Sequence, residues 1–199
     1  MVSLTRCGWV SDDPVYQHYH DNVWGRPEYD SQQLFAKLCL DGQQAGLSWI
    51  TILKKQANYE AAFYNFDPDK VAAMTEADVE RLMTNPGIVR NRLKIKSIIK
   101  NAKSYIAMRQ QGEGFADFLW GFVGGSPVQN QWASFEQVPV STPESDAMAK
   151  ALKKRGFSFV GSTICYAFMQ AVGMVNDHTT DCHCYEAVRA LGHKESQKR

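Results

Sequence analysis

The sequence predicts an all-α fold in a single domain. Three observations lead there. Apolar residues recur every three to four positions through most of the 199 residues. Capping residues stand in front of those runs, and Gly or Pro follows several of them. Evidence for strands is thin: 126–143, "SPVQNQWASFEQVPVSTP", is the longest stretch without a helical period, and it reads as a loop crossing the surface.

Each helix has its own signals. "YDSQQLFAKLCLDG" offers Asp30 or Ser31 as N-cap, with Leu34, Phe35 and Leu38 on one face. "LSWITILKKQANYEAAFYNF" continues the pattern with Trp49, Ile52, Leu53, Ala57 and Phe63. In "FDPDKVAAM", Asp67 caps a helix whose first residue is Pro68, where a missing N–H costs nothing. "TEADVERLMTNP" pairs Thr75 with Asp78 as a capping-box variant and stops at Pro86-Gly87. "NRLKIKSIIKNAKSYIAMRQQG" carries Ile95, Ile98, Ile99, Ala102 and Ile106 on one stripe. "SDAMAKALKKRG" ends at Gly156, a good C′ residue. "FVGSTICYAFMQAVGMV" is apolar nearly all round and reads as a buried helix. Residues 1–185 form the expected helical domain, and 186–199 form a polar tail expected to be disordered.

With 44% hydrophobic and 22% charged residues, the chain can bury a real core. No apolar run is long enough to span a bilayer, and the start lacks the pattern of a signal peptide. Five scattered cysteines argue against a disulfide framework and make the cytoplasm the expected compartment. A net charge of +1 means that a nucleic-acid partner must be met by basic groups concentrated on one face.

The segment "VNDHTTDCHC" (175–184) packs His178, Cys182, His183 and Cys184 together. Nitrogen and sulfur at this density suggest half of a metal site. The N-terminal segment supplies Cys7, His18 and His20. Cys7 and His20 with His178 and Cys182 would make an ordinary structural zinc shell that clasps the two ends of the domain. His18 is an alternative to His20, and His183 and Cys184 are alternatives at the other end. Each cysteine alone also reads as a small buried apolar residue. Four protein ligands would leave no open position for water, so a catalytic metal is disfavoured.

The same N-terminal stretch is rich in rings, with Trp9, Tyr16, Tyr19 and Trp24. "LDGQQAGLSW" adds Asp41 and Trp49, and its glycines let a backbone approach a ligand closely. Rings beside a carboxylate suit a flat cationic ligand such as a modified nucleobase. The competing reading is the core of a tryptophan-rich helical domain. In "ERLMTNPGIVRNRLKIKSIIKNAK", two amphipathic helices meet at Pro86-Gly87-Ile88, and Arg90, Arg92, Lys94 and Lys96 follow. Such a turn can present backbone N–H groups to a phosphate. An ordinary helical hairpin with a solvated basic face would look the same.

The segments "RCGWV", "YHDN", "WG", "GQQAGLSW", "LKK", "FDP", "KALKKRGFSFVG", "TICYAFMQA" and "VNDH" together resemble the DNA-3-methyladenine glycosylase I family. These are bacterial glycosylases of the helix-hairpin-helix superfamily. The resemblance runs in order from about Arg6 to Cys184. It implies an all-α, helix-hairpin-helix glycosylase-like domain with one structural Zn2+ per chain, on Cys7, His20, His178 and Cys182. It implies a base pocket of Trp9, Tyr19, Trp24, Asp41 and Trp49. In that pocket Trp49 stacks on the extruded base, while Asp41 and Tyr19 bond its edge. Gly46 and Leu47 would face the gap left in the duplex. Gly87, Ile88, Arg90 and Arg92 would hold the DNA backbone. The implied reaction is monofunctional excision of N3-methylated adenine, in base excision repair, leaving an abasic site. The implied partners are alkylated double-stranded DNA and free 3-methyladenine as product. A monomer without membrane attachment suffices.

Two positions depart from the family pattern, which has Glu where this chain has Asp41 and Val23. Asp41 keeps the charge and loses one methylene of reach. Two alternatives follow from it: a glycosylase of altered base selectivity, or a non-catalytic binder of damaged DNA. A third is a zinc-clasped helical protein that takes a small aromatic ligand and no DNA.

Overall fold

The computed structural model describes residues 4–196, with side-chain surroundings from 4 to 192. The chain begins with a helix that sequence periodicity left unassigned, α1 (Pro14–Asn22). It is started by local chemistry. The Asp13 side chain accepts from the Val15 N–H, and Pro14 takes the first helical position. α2 (Ser31–Gln43) follows, and its Asp30 cap accepts from the Gln33 N–H at 2.9 Å. α2 is the central helix: Leu34, Phe35, Leu38, Cys39 and Leu40 are all buried, and it packs against later helices on several sides.

The run expected as one helix after Ser48 is two, α3 (Trp49–Leu53) and α4 (Gln56–Ala62). The break falls at the lysine pair. Lys54 turns out to an ion pair with Asp13 at 2.5 Å, and the Lys55 N–H closes a tight turn onto the Ile52 carbonyl. The kink lets Trp49 and Tyr59 face different parts of the interior, and Ala57 is left exposed. Short helices α5 (Pro68–Ala72) and α6 (Glu76–Leu82) start at the predicted Asp67 and Thr75 caps. The long α7 (Arg92–Gln110) carries Ile95, Ile98 and Ala102 into the core. α8 (Phe115–Trp120) packs on α2 and α7.

The stretch expected as a plain surface loop contains strand β1 (Val128–Gln129). After α9 (Pro143–Lys154) and the buried α10 (Ser162–Ala171), strand β2 (Val175–Asn176) pairs with it in parallel, Val128 opposite Val175. Two residues are too few to show alternation in a sequence, so this pairing is decided by where α10 returns the chain. The polar tail is also corrected over its described part. It forms α11 (Tyr185–Ser196), anchored by Tyr185 and Val188 at 6% and 3% exposure. Glu186 and Arg189 lie on its exposed face, opposite that buried edge. Residues 197–199 lie outside the described part. Since α11 is docked, Val188→Asp should cost about 2–3 kcal/mol by urea unfolding, because it buries a charge without a partner; an unpacked tail would show no change.

Candidate functional site

The two ends of the domain meet at a Cys/His cluster. Cys7, His20, His178 and Cys182 are all buried, and their ligand atoms lie within 4.8 Å of one another. The Cys7 Sγ is 3.5 Å from His178 Nδ1, and the Cys182 Sγ is 3.5 Å from both His20 Nε2 and His178 Nδ1. Donors on a tetrahedron with metal bonds of about 2.0–2.3 Å stand about 3.3–3.8 Å apart, so the residues fit a metal ion of zinc's size. The outer partners agree. His20 Nδ1 meets Asp21 at 2.8 Å, and His178 Nε2 meets the Trp24 carbonyl at 3.1 Å. Each ring therefore donates outward and turns its other nitrogen, as a lone pair, into the cluster. The Cys182 thiol is pushed down, first by hydrogen bonding with Cys184 and Cys7, toward the thiolate that binds metal. Of the alternatives, His18 is exposed beside Asn22, while His183, which bonds the Thr5 carbonyl at 2.9 Å, and Cys184 form a neighbouring group that shares Cys182. Gly25 is needed here. Its φ is +83°, and a Cβ would lie 3.0 Å from His178 Nε2.

The cluster lies behind the ring wall of an aromatic pocket. Trp9 packs against the His20 ring at 5.3 Å and Trp24 against His178 at 4.7 Å between centroids. On the other side Trp9 contacts Tyr16, Tyr19 and Trp24, and Tyr19 contacts Trp49 at 5.6 Å. These rings enclose a cavity of about 230 Å³ that also includes Asp41. That is below the ~300–1,000 Å³ of pockets for drug-sized ligands, and suits a single flat base. All five residues named for the pocket, Trp9, Tyr19, Trp24, Asp41 and Trp49, line it.

Asp41 is 2% exposed. Its Oδ2 is buried without a hydrogen-bond partner among the described residues, as is Trp9 Nε1. Orphaned buried polar atoms in a cavity wall mark where a ligand would bond. The other carboxylate oxygen is taken by Lys37, whose Nζ lies 2.5 Å from Oδ1 and 3.6 Å above the Trp49 ring. Burial pushes the Asp41 carboxyl up, against the pull of Lys37, and pushes the Lys37 ammonium down. Burial, and then the Asp41 charge, hold the Tyr19 phenol well above its usual value, so it stays a neutral donor. Sequence reasoning missed Lys37. The signal was present, since Lys37 and Asp41 are four apart on α2 and so share a helix face. Phe135 and Gln170 also line the cavity and carried no local signal.

The loop after α2 is held from behind. Lys94, read from the sequence among the anion-facing groups, is instead buried, and its Nζ donates to the Gln43 and Ala45 carbonyls at 2.8 and 2.6 Å. This leaves Gly46, at φ +76°, and Leu47, 41% exposed, at the surface. Gly46 has open space where a Cβ would stand. In the hairpin between α6 and α7, the Gly87 N–H donates to Asn85 and the Ile88 side chain is buried, so only the Ile88 backbone remains for a partner. Arg90 is exposed, while Arg92 is engaged by Glu80 and Glu76. Val23 is exposed and lies at the rim of a neighbouring cavity rather than in the aromatic pocket.

A family model for methyladenine glycosylase matches residues 9–185. The chain is 60% identical to DNA-3-methyladenine glycosylase 1 of Escherichia coli K12, over 92% of this chain and 97% of that protein. It is 54% identical to DNA-3-methyladenine glycosylase of Haemophilus influenzae, over 90% and 97%. A crystal structure of 3-methyladenine DNA glycosylase I superposes with a TM-score of 0.90 at 63% identity, covering 91% of this chain and 100% of that one. The Staphylococcus aureus enzyme, in a structure that describes its recognition of 3-methyladenine, superposes at 0.89 with 42% identity, covering 92% and 97%.

If Lys94 fixes the loop, Lys94→Met should speed amide hydrogen exchange at Ala45 and Leu47 by about tenfold, as expected for a loss of about 1–3 kcal/mol of local protection. Unchanged exchange would show that the loop is held by other contacts.

Proposed function

The chain belongs to the methyladenine glycosylase family, and on that premise we propose that it excises N3-methylated adenine from alkylated double-stranded DNA, leaving an abasic site. The observation that carries the reading is the buried Asp41 carboxylate, with one oxygen unpartnered, inside a ring-walled cavity sized for one base. A base in a duplex cannot reach such a cavity, so the nucleotide must leave the stack. Extrusion costs a few kcal/mol, and less for a damaged base.

Methylation at N3 places positive charge on adenine and weakens its bond to the sugar. Water adds to C1′, and the C1′–N9 electron pair passes to the ring and cancels its charge. The water's proton goes to solvent. The base leaves neutral, so no strong general acid is required. Trp49 stacks on the extruded base, and Asp41 and Tyr19 bond its edge. The Asp41 charge favours a cationic base over neutral adenine. No lysine is assigned to attack the sugar, and the strand stays intact.

On the DNA side, Gly46 and Leu47 face the gap left by the extruded nucleotide. The Ile88 backbone and Arg90 meet the phosphodiester beside Gly87. Arg92 can join them only by leaving Glu80. Cys7, His20, His178 and Cys182 would hold one structural zinc ion, and four protein donors would leave no position for a reacting water. Held together in this way, these residues would fix the aromatic wall.

Three outcomes are expected. Chromatography of bases released from methylated duplex DNA should give 3-methyladenine; a folded protein that binds DNA and releases nothing would favour the non-catalytic reading. Asp41→Asn should lower that release about tenfold to a hundredfold, the worth of a hydrogen bond to a charged group; an unchanged rate would remove Asp41 from the site. Metal analysis of protein purified without added zinc should find close to one equivalent per chain. Less than about half an equivalent would count against the ion.

A further inference from the structure

Lys37 lies in the place that the base reading assigns to the ligand. Its ammonium stands 3.6 Å above the Trp49 ring, about the 3.5–4.0 Å at which atoms of a stacked base would rest. It also takes Oδ1 of Asp41, the carboxylate that would bond the base edge. A ring cannot stack on that face while the ammonium covers it. The side chain is confined, at 16% exposure, and lies on α2 one turn before Asp41.

A second cavity adjoins the first. It measures about 290 Å³ and shares Tyr19, Lys37 and Ala171 with the aromatic pocket. Its wall includes two carboxylates, Glu28 and Glu60. Lys37 therefore stands on the partition between the two spaces, with Asp41 on one side and Glu28, Glu60 and the Arg26 guanidinium lining the other. A long, flexible stem lets one ammonium serve both.

We propose that Lys37 is a displaceable placeholder and a specificity-determining residue of the base pocket. In the empty pocket it occupies the Trp49 face and pairs with Asp41. When a base enters, the ammonium yields both and turns toward Glu28 and Glu60. This deepens the proposed function and rests on it. The consequence is a threshold: every ligand must first displace a cation from a carboxylate and from a ring. A ligand that restores positive charge at Asp41 regains what was lost, and one that offers only a hydrogen bond does not. The placeholder also keeps Asp41 paired when no ligand is bound, so the pocket never holds a lone buried charge.

The test is binding of free 3-methyladenine, which as the neutral product cannot repay the displaced charge, followed by quenching of tryptophan fluorescence, to the unaltered chain and to Lys37→Met. A methionine keeps the length and apolar stem and removes the competing charge. The expected result is binding about tenfold tighter in the variant, the scale of one buried cation–ring and ion-pair contact. Lys37→Arg, which keeps a cation in place, should show no gain. Lys37→Gln stands in for the methionine variant should that one fail to fold. Equal or weaker binding by Lys37→Met, with binding intact in the unaltered chain, would overturn the placeholder, because it would mean that Lys37 contacts the base directly or not at all. Binding by none of the proteins would overturn the base-pocket reading itself.

Discussion

Tyr19 and His20 are neighbours on α1, and the whole site depends on that adjacency. His20 reaches into the Cys/His cluster, and Tyr19 forms part of the pocket wall. A short helix of nine residues cannot hold such a position by itself. It is held because Cys7 and His20 meet His178 and Cys182, which come from the far end of the chain. Trp9 and Trp24 pack on the cluster's imidazoles on one side and line the cavity on the other. The closure of the domain and the shape of the pocket are thus one constraint.

The second constraint runs through α2. Its apolar residues are buried against α7, α8 and α10, while Lys37 and Asp41 face the cavity. The helix cap at Asp30 fixes where α2 starts, and its end is tied by Lys94 of α7. The carboxylate is therefore delivered by a rigid element and the surface loop beside it is anchored from behind. A rigid element of this kind holds a buried side chain more precisely than a loop would.

Lys37 alters how the shorter acid at position 41 is read. An aspartate where the family pattern has glutamate looks at first like lost reach. Beside Lys37 it is half of an ion pair on one helix face. The buried charge on Asp41 is thereby balanced within α2 itself.

Helix existence was legible in the sequence because caps and apolar spacing are local. Asp30, Asp67 and Thr75 each start the helix expected of them. The family motifs, being long and ordered, also marked the four residues that meet in the Cys/His cluster and the five that line the aromatic cavity. Other features were set by contacts between distant segments. The two-residue strands pair only because α10 brings the chain back, and α11 is a helix because Tyr185 and Val188 find a surface to cover. Basic residues were the hardest to read. Arg90, Arg92 and Lys94 look alike in a row of letters, yet one is exposed, one is paired with Glu80, and one is buried under the Gln43 and Ala45 carbonyls. Charge is a property of the residue, whereas availability is a property of its neighbours. The sequence alone determined the capped helices, the donor types and the aromatic content. Only the tertiary structure decided which cation is exposed, which ties the loop, and which stands in the pocket, because each answer depends on a partner far along the chain or on the opposite side of a helix turn.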